Sequence, residues 1–136
     1  MSLHRDNMDR AEAKSRLSLS GIVLGSPDPL ALARFYERLL GWEMKPGGDE
    51  TWVQLLGPSG PPALSFQLEV DHVPPAWPAG PGDQQMQMHL DIRVDDLGAA
   101  AAHAEACGAT PAQYQPQEDV RVYIDPVGHP FCLALE

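Results

Sequence analysis

The sequence has no long hydrophobic run. No apolar stretch approaches the roughly 18 residues that a bilayer span requires, which argues against a membrane-spanning helix. Cysteine is scarce. Cys107 and Cys132 are the only two, they lack metal-motif spacing, and they are expected to be reduced thiols and not a disulfide. Basic residues are few, 9 Lys and Arg against 19 Asp and Glu, for a net charge of −10. Such a chain repels phosphate backbones and anionic headgroups, so neither nucleic acid nor a membrane surface is an expected partner. A cationic ligand is favoured by the same field. There is no nucleophile elbow, no phosphate-cradling glycine loop and no paired-cysteine motif, so serine catalysis, nucleotide hydrolysis and zinc-finger roles have no support. Met1 to Ser18 is polar, with no apolar core of a secretory signal, so a cytoplasmic location is expected.

What remains suits one domain: 136 residues, 43% of them hydrophobic. Residues 1–17, with four basic and three acidic side chains, are expected to be a flexible N-terminal segment. The domain would then span 18–136 and carry the acidity. Ser20–Gly25 is expected to be a buried strand. Asp28 can cap a helix with Pro29 in its first turn. Leu32, Phe35, Tyr36, Leu39 and Leu40 then recur at the spacing of one helix face, and Gly41 supplies a left-handed stop. Strands are expected at Trp42–Lys45, Thr51–Leu56 and Ala63–Glu69, separated by Gly- and Pro-rich turns.

Residues 70–85 hold four prolines and two glycines and are expected to be a linker without regular structure. The pattern then restarts. Gln87–Val94 alternates as a strand does. Asp95 or Asp96 caps a helix with Leu97, Ala100, Ala101 and Ala104 on one face, and Gly108 ends it. Strands are expected at Thr110–Gln115, Val120–Ile124 and Pro130–Leu135. Two halves, 18–69 and 86–136, thus share one plan. The expected fold class is α+β: two pseudo-repeated βαβββ modules forming a curved mixed sheet around a cleft.

The stretch Ser26-Pro-Asp-Pro-Leu-Ala-Leu-Ala-Arg-Phe-Tyr-Glu-Arg-Leu-Leu-Gly-Trp42 resembles the first helix signature of the glyoxalase/bleomycin-resistance/dioxygenase (vicinal oxygen chelate) superfamily. His89-Leu-Asp-Ile-Arg-Val-Asp-Asp96, Gly108-Ala-Thr110 and Asp125-Pro-Val-Gly-His-Pro-Phe-Cys132 resemble the signatures of its second module. The resemblance covers about residues 18–136 and is nearest to a glyoxalase-like subgroup. It implies one pocket, commonly a divalent metal held by a first-strand and a last-strand ligand from each module, and commonly a two-fold homodimer.

Carried over by position, those ligands fall on Gly21, Gln67, His89 and Cys132. Gly21 has no side chain, and Cys132 stands where the enzymes usually have Glu. His89 and Gln67 remain as candidate metal ligands, with Glu69 on the same strand face as Gln67. Both are equally candidate ligand-binding residues without a metal, because imidazole and amide each donate and accept hydrogen bonds. Trp52, Trp77 and Tyr123 are candidate cleft walls. Phe66 is a further candidate there, and Trp52 and Phe66 are equally candidates for the core. Trp77 sits among prolines where no core periodicity would bury it, and a lid or a subunit contact is expected of it. His103 and His129 are expected to face solvent, and His72 to lie at a pocket rim. The expected function is small-molecule binding in an acidic, aromatic-lined cleft without a full metal site and with no required cofactor. The alternative is a divalent-metal-dependent lyase, isomerase or dioxygenase of the same superfamily.

Overall fold

The computed structural model describes residues 17–135, so the segment 1–16 and its expected flexibility lie outside the described residues. The first module contains β1 (Gly21–Ser26), α1 (Pro29–Leu40), β2 (Glu43–Met44), β3 (Trp52–Gly57) and β4 (Gly60–Leu68). The second contains β5 (Leu90–Arg93), α2 (Leu97–Cys107), β6 (Thr110–Pro111), β7 (Val120–Ile124) and β8 (Pro130–Ala134). Each module forms its own four-stranded mixed sheet. The orders are β1-β4-β3-β2 and β5-β8-β7-β6, the first and last strands of each module pair in parallel, and the other ladders are antiparallel. The pseudo-repeat seen in the sequence is therefore a repeat of topology. No helix of the described residues is long and apolar enough to cross a membrane.

The helices begin and end where side-chain chemistry dictates. Asp28 accepts a hydrogen bond from the Ala31 amide at 3.1 Å, and Asp96 accepts one from the Ala99 amide at 3.0 Å. Each satisfies an otherwise orphaned first-turn donor. Gly41 and Gly108 take φ of 70° and 113°, a left-handed cap that a Cβ would strain.

One core serves both modules. Leu32, Phe35 and Tyr36 of α1 pack with Val53, Leu55, Leu64 and Phe66 of the first sheet and with Phe131 and Leu133 of the second. Tyr36 stacks on Phe66 with ring centroids 5.7 Å apart, and Phe35 meets it edge-on at 4.8 Å. Tyr36 also donates its hydroxyl to Asp125 Oδ2 at 2.8 Å, joining the first helix to the β7–β8 turn. Asp125 is only 4% exposed, and its Oδ1 accepts from the Val127 and His129 amides. Burial pushes its carboxyl above the ordinary range, offset in part by nearby His129 and by the Tyr36 hydrogen bond. Burial, followed by the Asp125 charge, likewise raises Tyr36 well above a free phenol.

Several strands are shorter than the hydrophobic pattern suggests. β2 and β6 have two residues each, and β5 starts at Leu90, so His89 precedes the strand and does not open it. Residues 70–85 contain no helix or strand. His129, expected in solvent, is half-buried. Its Nε2 lies 2.8 Å from the Gly25 carbonyl, and its ring lies 4.9 Å from that of His72. His72 Nε2 in turn reaches the Val127 carbonyl at 2.7 Å. Together they tie the 70–85 segment and β1 to the second module.

Candidate functional site

On a strand, residues two apart share a face. In the second sheet, the ladder pairs Asp91 with Cys132 and Cys132 with Val122. These three sit side by side on the face opposite the core, with His89 leading into the same row. His89 Nε2 lies 3.0 Å from Asp91 Oδ1. The imidazole, the Asp91 carboxylate and the Cys132 thiol each offer a ligand atom, all within 4.8 Å of one another. Burial, and next the Asp91 charge, hold the Cys132 thiol above its ordinary pKa, so as a free thiol it keeps its proton.

A pocket of about 170 Å³ opens beside this group. Its walls include His89, Cys132, Val122, Pro116, Met86 and Trp77. The 70–85 segment brings Trp77 there, and the ring stacks against Tyr114 at 5.6 Å between centroids. The pocket is chiefly apolar, with His89 and Gln117 as polar groups and Asp91 beside His89.

The other candidates fall elsewhere. Tyr123, expected on the cleft wall, is a core residue and 3% exposed. Alternation decides this: Val122 faces the pocket with Cys132, so Tyr123 turns to the helix side, stacks on Phe131 and donates to Glu105 at 2.7 Å. Burial and that acceptor push its phenol up to about 12. Phe66 is fully buried in the core. Trp52 is 37% exposed on the outer face of the first sheet, paired across the ladder with Gln67. It lines a separate hollow with Lys45, Gly48 and Gln54. Gln67 is exposed, and its amide donates to Glu69 at 2.7 Å. Gln67 lines neither the pocket beside Trp77 nor the one beside Tyr36, both of which His89 lines. His103 is exposed as expected, although its Nε2 lies 3.1 Å from the Leu39 carbonyl. Asp91 and Met86 were not anticipated. Asp91 was detectable, since it lies two residues after His89 on an alternating strand; no periodicity marks Met86.

The sequence model of the glyoxalase-like domain matches residues 21–134. The chain belongs to the glyoxalase-like domain family. Solved structures share the fold of this glyoxalase-like chain. A glyoxalase/bleomycin resistance protein/dioxygenase family enzyme from Burkholderia phytofirmans superposes with a TM-score of 0.66 at 16% identity, covering 86% of this chain and 97% of its own. A glyoxalase/dioxygenase from Nostoc punctiforme gives 0.63 at 18%, covering 88% and 90%. A glyoxalase family protein from Enterococcus faecalis gives 0.63 at 17%, covering 86% and 96%. No curated protein matches the chain.

The divalent metal that this superfamily often uses does not fit the four carried-over positions within one glyoxalase-like chain. Gly21 offers no donor, and the Gln67 amide is engaged with Glu69 and lies outside the pocket that His89 lines beside Trp77. His89 and Cys132 alone fall together, with Asp91 between them.

Proposed function

We propose that this glyoxalase-like protein binds a small organic cation at the outer face of its second sheet. The observation that carries the reading is the gathering of Trp77, Met86, His89, Val122 and Cys132 around one apolar pocket. Its size is informative: an apolar cavity of about 150 Å³ holds a benzene ring, so about 170 Å³ suits one substituted ring and not a bulky drug. Trp77 offers a π face to a cation, Asp91 stands near the rim, and the net charge of −10 favours cations over anions. A two-fold dimer belongs to the same reading. The outer face of the first sheet leaves Val23, Trp52 and Leu56 exposed around polar Gln54 and Gln67, a surface that a second copy could cover. Both cysteines are free, which suits a reducing cytoplasm.

The test is a thermal-shift screen with cationic single-ring aromatics. A ligand that binds only the native state raises the melting temperature by mass action. The expected result is a stabilising hit that Trp77→Ala abolishes. A hit that survives Trp77→Ala, or a broad panel without any hit, would overturn the reading.

A metal-dependent lyase, isomerase or dioxygenase is the second reading, favoured by the nearness of His89, Asp91 and Cys132. A bound ion there would polarise an oxygen-bearing substrate in the pocket. Turnover that is lost on chelation and restored by the metal would support it. Turnover indifferent to chelator would not.

A further inference from the structure

The connection between the modules carries His72, Met86 and Met88 to one hollow beside β1, where His129 of the β7–β8 turn meets them. The four side chains line a pocket of about 290 Å³ that also touches Val23 and Gly25. Its hydrogen bonds decide which ring nitrogens are available. His72 Nε2 lies 2.7 Å from the Val127 carbonyl, and His129 Nε2 lies 2.8 Å from the Gly25 carbonyl. A carbonyl oxygen only accepts, so each Nε2 carries a proton and donates it. In the neutral ring Nδ1 then keeps a bare lone pair. A histidine whose other nitrogen donates to a backbone carbonyl is held in the tautomer and orientation of a metal ligand. Both rings meet that condition.

The ring spacing agrees. With a metal–imidazole bond of about 2.0–2.1 Å, two rings on one tetrahedral ion have centroids about 5.1–5.2 Å apart. Those of His72 and His129 are 4.9 Å apart, and the 44° between their planes is not that of a face-to-face stack. The sulfurs then decide which ion fits. Magnesium and calcium favour all-oxygen shells, whereas thioether sulfur beside imidazole selects copper(I). Met86 and Met88 bring polarisable sulfur on flexible side chains that can adjust to an ion. All four donors are neutral, so the ion keeps its positive charge, which a chain of net charge −10 favours.

We propose that His72 and His129 through Nδ1, and Met86 and Met88 through sulfur, bind one copper(I) ion. None of the four stands at a position carried over from the superfamily's metal site, and the inference rests on neither functional reading. No proton leaves and no electron moves: four lone pairs replace the ion's previous ligands. His72 and the two methionines flank the segment that carries Trp77, and His129 belongs to the second module, so the ion would fasten that segment in place.

The experiment uses the full chain without an affinity tag, titrated anaerobically against copper(I) held by a chromogenic chelator. It is run in Cys132→Ser, which removes the half-buried thiol as a rival ligand. The expected result is one copper(I) per chain. Loss of even an outer-sphere partner costs about 10–100-fold in metal affinity, so adding Met88→Leu should weaken copper by at least about tenfold. Met88 is 73% exposed, so that change spares the core. Adding His72→Phe should weaken copper by at least about 100-fold, with circular dichroism confirming the fold. Silver(I), a redox-stable stand-in, is titrated into wild type. The ε-methyl resonances of Met86 and Met88 should move, while that of Met44, on the edge strand of the first sheet, stays. This arm needs no substitution, so it decides even where a variant fails to fold. No copper held by Cys132→Ser at micromolar concentration would overturn the proposal. So would affinity unchanged by Met88→Leu, or silver that leaves the Met86 and Met88 methyls unmoved. A failed screen with organic cations leaves these results untouched, so the two proposals fail separately.

Discussion

Tyr36→Phe isolates the bond that joins the modules. The substitution keeps the ring, and with it the stacking on Phe66 and the edge contact with Phe35. What it removes is the hydroxyl, which donates to Asp125 Oδ2 at 2.8 Å inside the core. A hydrogen bond to a charged group contributes about 1.5–3 kcal/mol, and the carboxylate oxygen left behind is buried, so the expected loss is about 2 kcal/mol. For a chain of this size that lowers the melting temperature by about 8 °C. A pH arm sharpens the test. The Tyr36 bond opposes the burial that raises the Asp125 carboxyl, so the variant should raise it further. The folded variant then takes up a proton at higher pH than folded wild type does. As pH falls through the raised Asp125 value, the variant gains on wild type, because a protonated carboxyl no longer needs the donor. Differential scanning calorimetry at neutral and mildly acidic pH reads both effects. A drop below about 2 °C at neutral pH, well under the hydrogen-bond range, or a cost that does not shrink in acid, would refute the reasoning.

Two further outcomes follow from the same structure. Gly128 has φ of 99°, and a Cβ there would come within 2.5 Å of the Pro74 Cβ. Gly128→Ala should therefore cost about 2 kcal/mol or more, read by chemical denaturation, and should loosen the 70–85 segment that carries Trp77. Tyr123 is raised from an ordinary 10.0 to about 12, so the stability it contributes is complete below pH 10 and is lost as pH rises towards 12. Tyr123→Phe should fall less steeply than wild type across that alkaline range, as followed by circular dichroism.

The module plan was legible because its punctuation is chemical. Asp28 with Gly41, and Asp96 with Gly108, bracket helices whose observed bounds follow those caps. Strand lengths were less legible. Alternation runs from Gln87 through Val94, but a ladder needs a partner backbone, and β5 pairs with β8 only from Leu90, opposite Phe131. The candidate site was legible in part. His89 and Trp77 fall on one pocket, while Gln67 and Trp52 belong to the other sheet. Tyr123 could have been assigned to the core from its odd offset relative to Val122 on the pocket face. Met86 could not, because a proline-rich segment has no period from which a facing direction can be read.

Backbone-amide chemical shifts during titration with a stabilising cationic aromatic test the proposed pocket most directly. Perturbations are expected at the amides of residues 86–89, 117–122 and 131–132 and at the Trp77 indole. Perturbations confined to Trp52, Gln67 and their neighbours on the first sheet would contradict it.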